Sequence, residues 1–175
     1  MLTVSSMLIM QAAVGYNVAL DAERKRATRV LFWFIIITAL CEWSGVMLDG
    51  TSPKLIPLHY AVKVAEFSLT PGIGLICGRS LSDKVTLERV GFALVGIHAL
   101  LEISSVFSGM IFFVDAQNIY HHGDYYWVYT LFCVATILYF LICGLEAFRR
   151  YQHSGGVLIW SVTMFLVAGI LVQSI

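Results

Sequence analysis

The sequence predicts an all-α fold: a polytopic membrane bundle of about six transmembrane helices carrying a short outer β-hairpin. Three observations predict it. Apolar residues make up 59% of the 175-residue chain and charged residues only 13%, where a soluble domain carries roughly a quarter. The apolar residues gather at 2–20, 30–49, 57–79, 87–110, 125–148 and 157–175, each stretch near the roughly 20 residues that cross a bilayer core. The charges lie between these stretches and alternate by side. Six such spans make residues 1–175 a single transmembrane domain, with little chain left over for a soluble one.

The first span carries no charge and is followed, not preceded, by the basic stretch Asp21-Ala-Glu-Arg-Lys-Arg-Ala-Thr-Arg29. A signal peptide has the opposite order, so this span reads as an uncleaved helix with its amino end outside. The loops at 21–29, 79–89 and 149–153 hold four, three and two of the eleven Lys and Arg residues. Lys54 lies in the loop at 50–56, and the loop at 111–124 has Asp115 and Asp124 but no Lys or Arg. By the positive-inside rule the first three loops face the cytoplasm, which predicts a multi-pass protein of the cell's inner membrane. Trp33, Trp43, Tyr60, Tyr125, Tyr126, Trp127 and Trp160 fall at interfacial depths that agree.

Net charge is zero and there is no long basic run, so nucleic acid is not an expected partner. The expected partners are the bilayer, a small-molecule ligand and a second copy of the chain. Cys41, Cys77, Cys133 and Cys143 lie inside apolar stretches without a paired spacing and read as small buried residues. No Gly-rich phosphate loop, Ser-His-Asp order or hydrolase-like carboxylate pair occurs, and neither a catalytic residue nor a cofactor is expected.

Between the fourth and fifth spans, Met110-Ile-Phe-Phe-Val-Asp-Ala-Gln-Asn-Ile-Tyr-His-His-Gly123 has β-prone runs on either side of an Asp-Ala-Gln-Asn turn. This predicts the outer hairpin, with an irregular loop as the alternative. His121 and His122 on it read as solvated, with pH sensing the alternative.

Ionisable side chains inside a span cost about 2.5–3.5 kcal/mol each on insertion scales and mark function by default. Five stand out: Glu42, Lys63, Glu66, His98 and Glu102. A rise of about 1.5 Å per residue puts Glu42, Glu66 and Glu102 roughly 12–13 Å below the outer surface, in one layer. Lys63 and Glu66 are i,i+3 and His98 and Glu102 are i,i+4, so each pair shares a helix face. Three carboxylates against one lysine leave excess negative charge, to be met by protonation of His98 or of a carboxyl, or by a cation from outside. Two readings of the layer stand side by side: interhelical hydrogen bonds that fix packing, or a pocket for a cationic or amine-bearing small ligand. A metal site is weaker, because no second histidine lies at the same depth. Pro71, in Leu69-Thr-Pro-Gly-Ile-Gly74, removes a helix hydrogen bond in mid-span and is the hinge candidate.

The mid-span Leu69-Thr-Pro71 and the outer segment Phe112-Phe-Val-Asp-Ala-Gln-Asn-Ile-Tyr-His-His-Gly123 before Tyr125-Tyr-Trp-Val-Tyr129 resemble the amino-terminal multi-helix sensor regions of bacterial diguanylate cyclases and seven-helix sensor histidine kinases. The resemblance spans most of the chain through loose motifs. It implies a sensory input domain of seven helices with a cytoplasmic output after the last. This chain stops within an apolar stretch at Leu171-Val-Gln-Ser-Ile175, which on that reading makes it a truncated sensor without catalysis of its own. The alternative is a small transport component, such as the six-helix substrate-binding subunit of a vitamin importer. Those subunits have their amino end inside, against the charge pattern here.

Overall fold

The computed structural model describes residues 8–9, 11–12, 22–81 and 85–150. The expected span at 157–175 lies outside the described residues. So does the one at 2–20, except Leu8, Ile9, Gln11 and Ala12, which are helical.

Four long helices make up most of the described chain: α1 (Ala22–Leu48), α2 (Ile56–Leu81), α3 (Val85–Ser108) and α4 (Tyr126–Arg150). Each, α2 together with the turn that leads into it, supplies a stretch long and apolar enough to cross a membrane: Thr28–Leu48, Pro53–Arg79, Arg89–Ser108 and Tyr126–Glu146. A single 3₁₀ turn at Pro53–Leu55 leads into α2, where the fixed φ of proline suits a first helical turn. The expected span to 110 ends two residues early. Gly109 turns to φ +67° and donates its N–H to Ser105 O at 2.7 Å, an αL stop that a side-chain-bearing residue adopts only with strain.

Pairs of contacts fix the directions. Gly45 of α1 lies against Lys63 of α2 and Phe34 of α1 against Gly72, so these helices run antiparallel. Gly91 of α3 lies against Leu75, again antiparallel, whereas Gly74 and Gly78 meet Thr136 and Tyr139 of α4 in parallel order. Helix α2 is therefore the centre of the bundle. Half of its apolar window is buried, against 22%, 17% and 22% for α1, α3 and α4. Those three turn Ile37, Leu40, Val46, Leu94, Leu100, Leu131 and Leu138, among others, outward.

The hairpin expected at 110–123 is present, as strands β1 (Phe112–Val114) and β2 (Tyr120–His122). They pair antiparallel with Phe112 opposite His122, Phe113 opposite His121 and Val114 opposite Tyr120. The Asp-Ala-Gln-Asn turn forms because Asp115 Oδ1 accepts the N–H groups of Gln117 and Ile119, both at 2.9 Å. Alternation then sorts the side chains. Phe112 and Val114 are buried beneath the hairpin, while Phe113 stacks on His121 on its other face. The two histidines are thus not simply solvated: His121 bonds Asp115 Oδ2 at 2.9 Å, and His122 stacks on Tyr126 with centroids 3.7 Å apart.

Three side chains clamp the hairpin to the helices. Ser105 of α3, fully buried, accepts from Ile111 N (2.8 Å) and Phe112 N (3.0 Å) and donates to Phe112 O (3.1 Å). Tyr60 of α2 accepts from Val114 N at 3.0 Å and donates to Val114 O at 3.3 Å. Asn118 at the tip, fully buried and at φ +62°, donates to Leu48 O (2.8 Å) and Thr51 Oγ1 (2.9 Å). Below this clamp Phe67, Ile111 and Phe112 form the apolar core, ringed by Tyr60, Val64, Tyr120, Tyr126 and Tyr129.

Candidate functional site

Helical spacing builds the site from two stripes. On α2, His59, Lys63, Glu66 and Phe67 stand at i, i+4, i+7 and i+8; on α3, His98, Glu102 and Ser105 stand at i, i+4 and i+7. Each set shares one face, and both faces turn inward: His59, His98, Glu102 and Ser105 are fully buried and Lys63 nearly so.

The α2 half is a closed ion pair. Lys63 Nζ donates to Glu66 Oε2 at 2.9 Å, and it also lies 4.7 Å from the Tyr120 ring centroid and 5.6 Å from that of Phe67. The space comes from α1. A Cβ at Gly45 would stand 2.8 Å from Lys63 Cε and 3.5 Å from Glu66 Oε2. Glu42, one turn before Gly45, is half-buried and within electrostatic range of Glu66. At the hairpin end of the same stripe, His59 Nδ1 donates to Asn118 Oδ1 at 3.0 Å.

The α3 half is open. His98 Nε2 lies 3.2 Å from Glu102 Oε1, but the pair is misdirected. Both carboxyl oxygens and the nearby Tyr120 hydroxyl, all buried, have no hydrogen-bond partner, and the ring nitrogens make no aligned bond beyond an approach to the Phe67 main chain. Buried polar atoms are paired in the great majority of proteins, and each exception asks for an explanation. The His98 ring is held by stacking, on Phe132 at 4.5 Å and on Tyr129 at 5.9 Å. Pro71 contributes here. Having no N–H, it cannot bond the carbonyl of Phe67 four residues earlier, and the His98 ring interacts with that main-chain group from across the helix interface. Pro71 itself is fully buried within a continuous α2.

Tyr120 and Tyr126 join the halves, each within electrostatic range of both Glu66 and Glu102. The structure therefore brings Glu42, Lys63 and Glu66 together between α1 and α2. It sets His98 and Glu102 between α3, α2 and α4, and lowers Tyr120 of the hairpin between the two groups.

Sequence reasoning missed His59, Ser105, Asn118 and Tyr120. His59 carried a usable signal, standing one turn before Lys63 on the same face. Asn118 and Tyr120 carried none beyond their turn and strand, because their contacts depend on where the hairpin docks.

Among the described residues no three His, Cys, Asp or Glu side chains converge to hold a metal. The arrangement instead offers a dehydrated carboxyl group beside an imidazole, roofed by a hairpin and walled by aromatic rings. No protein-family model, curated protein or solved structure matches this chain.

Proposed function

We propose that the chain is the membrane-embedded sensory input domain of a bacterial signalling protein, binding a small ligand in the layer formed by Glu42, Lys63, Glu66, His98 and Glu102. The observation that carries this reading is the Glu102–His98 pair: fully buried, with both carboxyl oxygens of Glu102 in no hydrogen bond. A layer that only fixed packing would close its hydrogen bonds, as the Lys63–Glu66 pair does, although His59 Nε2 on the same α2 stripe is also buried without a partner. In the proposed topology the chain crosses the inner membrane about six times with its amino end outside. The basic ends of α1, α2 and α4 then face the cytoplasm and the hairpin faces out. Ligand under the hairpin would bias the seat of α2, the helix against which the other three pack, and so reach a cytoplasmic output domain.

The test uses the chain in lipid nanodiscs and a panel of small amines, carboxylic acids, aldehydes and neutral aromatics. Thermal midpoint and amide exchange over 112–122 are read for each compound. A ligand-binding domain responds to at least one class, and Glu102→Gln abolishes that response while inserting normally. No response to any compound, or an equal response in Glu102→Gln, would overturn the reading.

A further inference from the structure

Donors and acceptors around His98 leave room for one arrangement of protons. Nε2 faces Glu102 Oε1 at 3.2 Å, so Nδ1, on the other side of the ring, is the nitrogen that meets the Phe67 main chain. Pro71 has no N–H for the Phe67 carbonyl, and a carbonyl only accepts. The ring proton therefore sits on Nδ1, and in a neutral imidazole Nε2 is then a bare acceptor. A bare Nε2 and a carboxylate oxygen at 3.2 Å would repel, so a further proton lies between them. Both side chains have no exposed surface, and among the described residues no Lys or Arg pairs with Glu102. An imidazolium and a carboxylate would be two desolvated charges, the carboxylate without the donors it needs. A carboxylic acid facing a neutral imidazole leaves no charge at all.

We propose that Glu102 and His98 form a proton-binding site, in which Glu102 holds one proton toward Nε2 and the imidazole reports that proton to α2 through the Phe67 carbonyl. The enclosure of the pair fits this ligand, because a proton needs no void. When Glu102 gives its proton to solvent, the carboxylate left behind needs a donor. The imidazole keeps its single proton but moves it, by exchange, from Nδ1 to Nε2. Nδ1 then faces the Phe67 carbonyl as a second acceptor, and α3 loses its contact with α2 one turn before Pro71. The groups that face the pair are Tyr120 of the hairpin and Tyr126 and Cys133 of α4, in electrostatic range of Glu102. Tyr129 of α4 stacks on His98, and on α2 Lys63 and Glu66 are closed on each other. Tyr126 also stacks on His122, so polar groups lead from the pair to the hairpin surface. The proposal goes beyond the ligand-binding reading and does not depend on it.

Infrared spectra of the nanodisc-embedded chain, at neutral pH with no compound added, should show a protonated-carboxyl C=O band that shifts in D₂O. Glu102→Gln should remove that band and Glu66→Gln should keep it. A second measurement needs no variant: solid-state NMR of wild-type protein carrying ¹³C-glutamate, ¹⁵N-histidine and carbonyl-labelled ¹³C-phenylalanine. At neutral pH an acid-form glutamate carboxyl carbon should lie beside a hydrogen-free imidazole nitrogen, and the N–H of the same ring beside a phenylalanine carbonyl carbon. Raising the pH until the carboxyl band disappears should move the ring hydrogen to the other nitrogen and remove the phenylalanine cross-peak. No band, a band that survives in Glu102→Gln, or a protonated nitrogen facing the carboxyl at neutral pH overturns the inference. So does a phenylalanine cross-peak that persists after the band is gone. Every outcome is read without ligand, so none decides the ligand-binding reading, and silence across the compound panel leaves the proton site standing.

Discussion

His59 and Asn118 meet across 59 residues of chain, Nδ1 to Oδ1 at 3.0 Å, and the contact fixes the state of both side chains. The Asn118 amide spends its N–H groups on Leu48 O and Thr51 Oγ1, so its oxygen must accept. The proton therefore sits on His59 Nδ1. The Asn118 main-chain carbonyl accepts from Gly50 N at 2.9 Å, completing a latch between the hairpin tip and the α1–α2 connection.

Replacing Asn118 separates two contributions to that latch. Asn118→Gly keeps a residue at ease with φ +62° but removes the three side-chain hydrogen bonds and leaves His59 Nδ1 buried without an acceptor. A loss of about 2–3 kcal/mol is expected. Asn118→Ala adds backbone strain of about 1 kcal/mol and should be the less stable of the two. Denaturant melts of both variants in the same detergent check the order, and equal stabilities would show that the left-handed backbone carries no weight.

Ser105 is the second clamp, and its hydroxyl is engaged three times within one short segment. Ser105→Ala leaves the N–H groups of Ile111 and Phe112 unpaired in the core, for an expected loss of about 2–4 kcal/mol. The damage should be local. Amide exchange at 111 and 112 should rise far more than exchange along α4, and uniform loosening of the whole bundle would contradict the clamp.

The helices were legible because hydropathy and charge are written residue by residue. The four described spans fall within a few residues of the expected ones. The hairpin was legible too, since Asp115 and Asn118 sit at the corners of the turn that they make. What the sequence left open was how the polar layer divides. Glu42, Glu66 and Glu102 lie at one depth by helix rise alone, but rise says nothing of azimuth between helices. Only packing shows Lys63 bound to Glu66 while Glu102 faces His98 without a bond. Helix spacing foretold both i,i+3 and i,i+4 pairs, yet not that Pro71 exposes the Phe67 carbonyl to a histidine of the next helix.

Close approach of α2 to α4 depends on the small residue Gly74. A Cβ there would stand 2.8 Å from Thr136 O, a main-chain atom held within its own helix. Gly74→Ala should therefore push the helices apart and cost about 1–3 kcal/mol. Gly96 of α3 is the control, since a Cβ there meets nothing within 4 Å. Gly96→Ala should stabilise by up to about 1 kcal/mol, as expected for an unhindered helical glycine. Thermal midpoints of the two variants in one lipid composition should move in opposite directions. If both fall, α3 packs against something at Gly96.

Acid should open the hairpin. Partial burial against Tyr126 and, second, the Lys63 ammonium hold His122 below the ordinary imidazole value. Its neutral form is thus the one the fold prefers. The stability this adds is present above the unfolded value of about 6.5 and is lost as pH falls through the lower folded one. Asp115 is held below its usual range by the N–H of Ile119 first and then by His121, against an opposing effect of desolvation, with the N–H of Gln117 a lesser help. Its contribution is present above about pH 4 and is lost as pH falls through its folded value. Both groups therefore loosen the hairpin on acidification, His122 first. Protection factors over 112–122, corrected for intrinsic exchange, should fall between about pH 7.5 and about pH 5.5 in wild type. In His122→Phe, which keeps a ring on Tyr126 but cannot be charged, they should stay flat over that range and fall only near the carboxylate titration. A wild-type decline that persists unchanged in His122→Phe would assign the switch to another group.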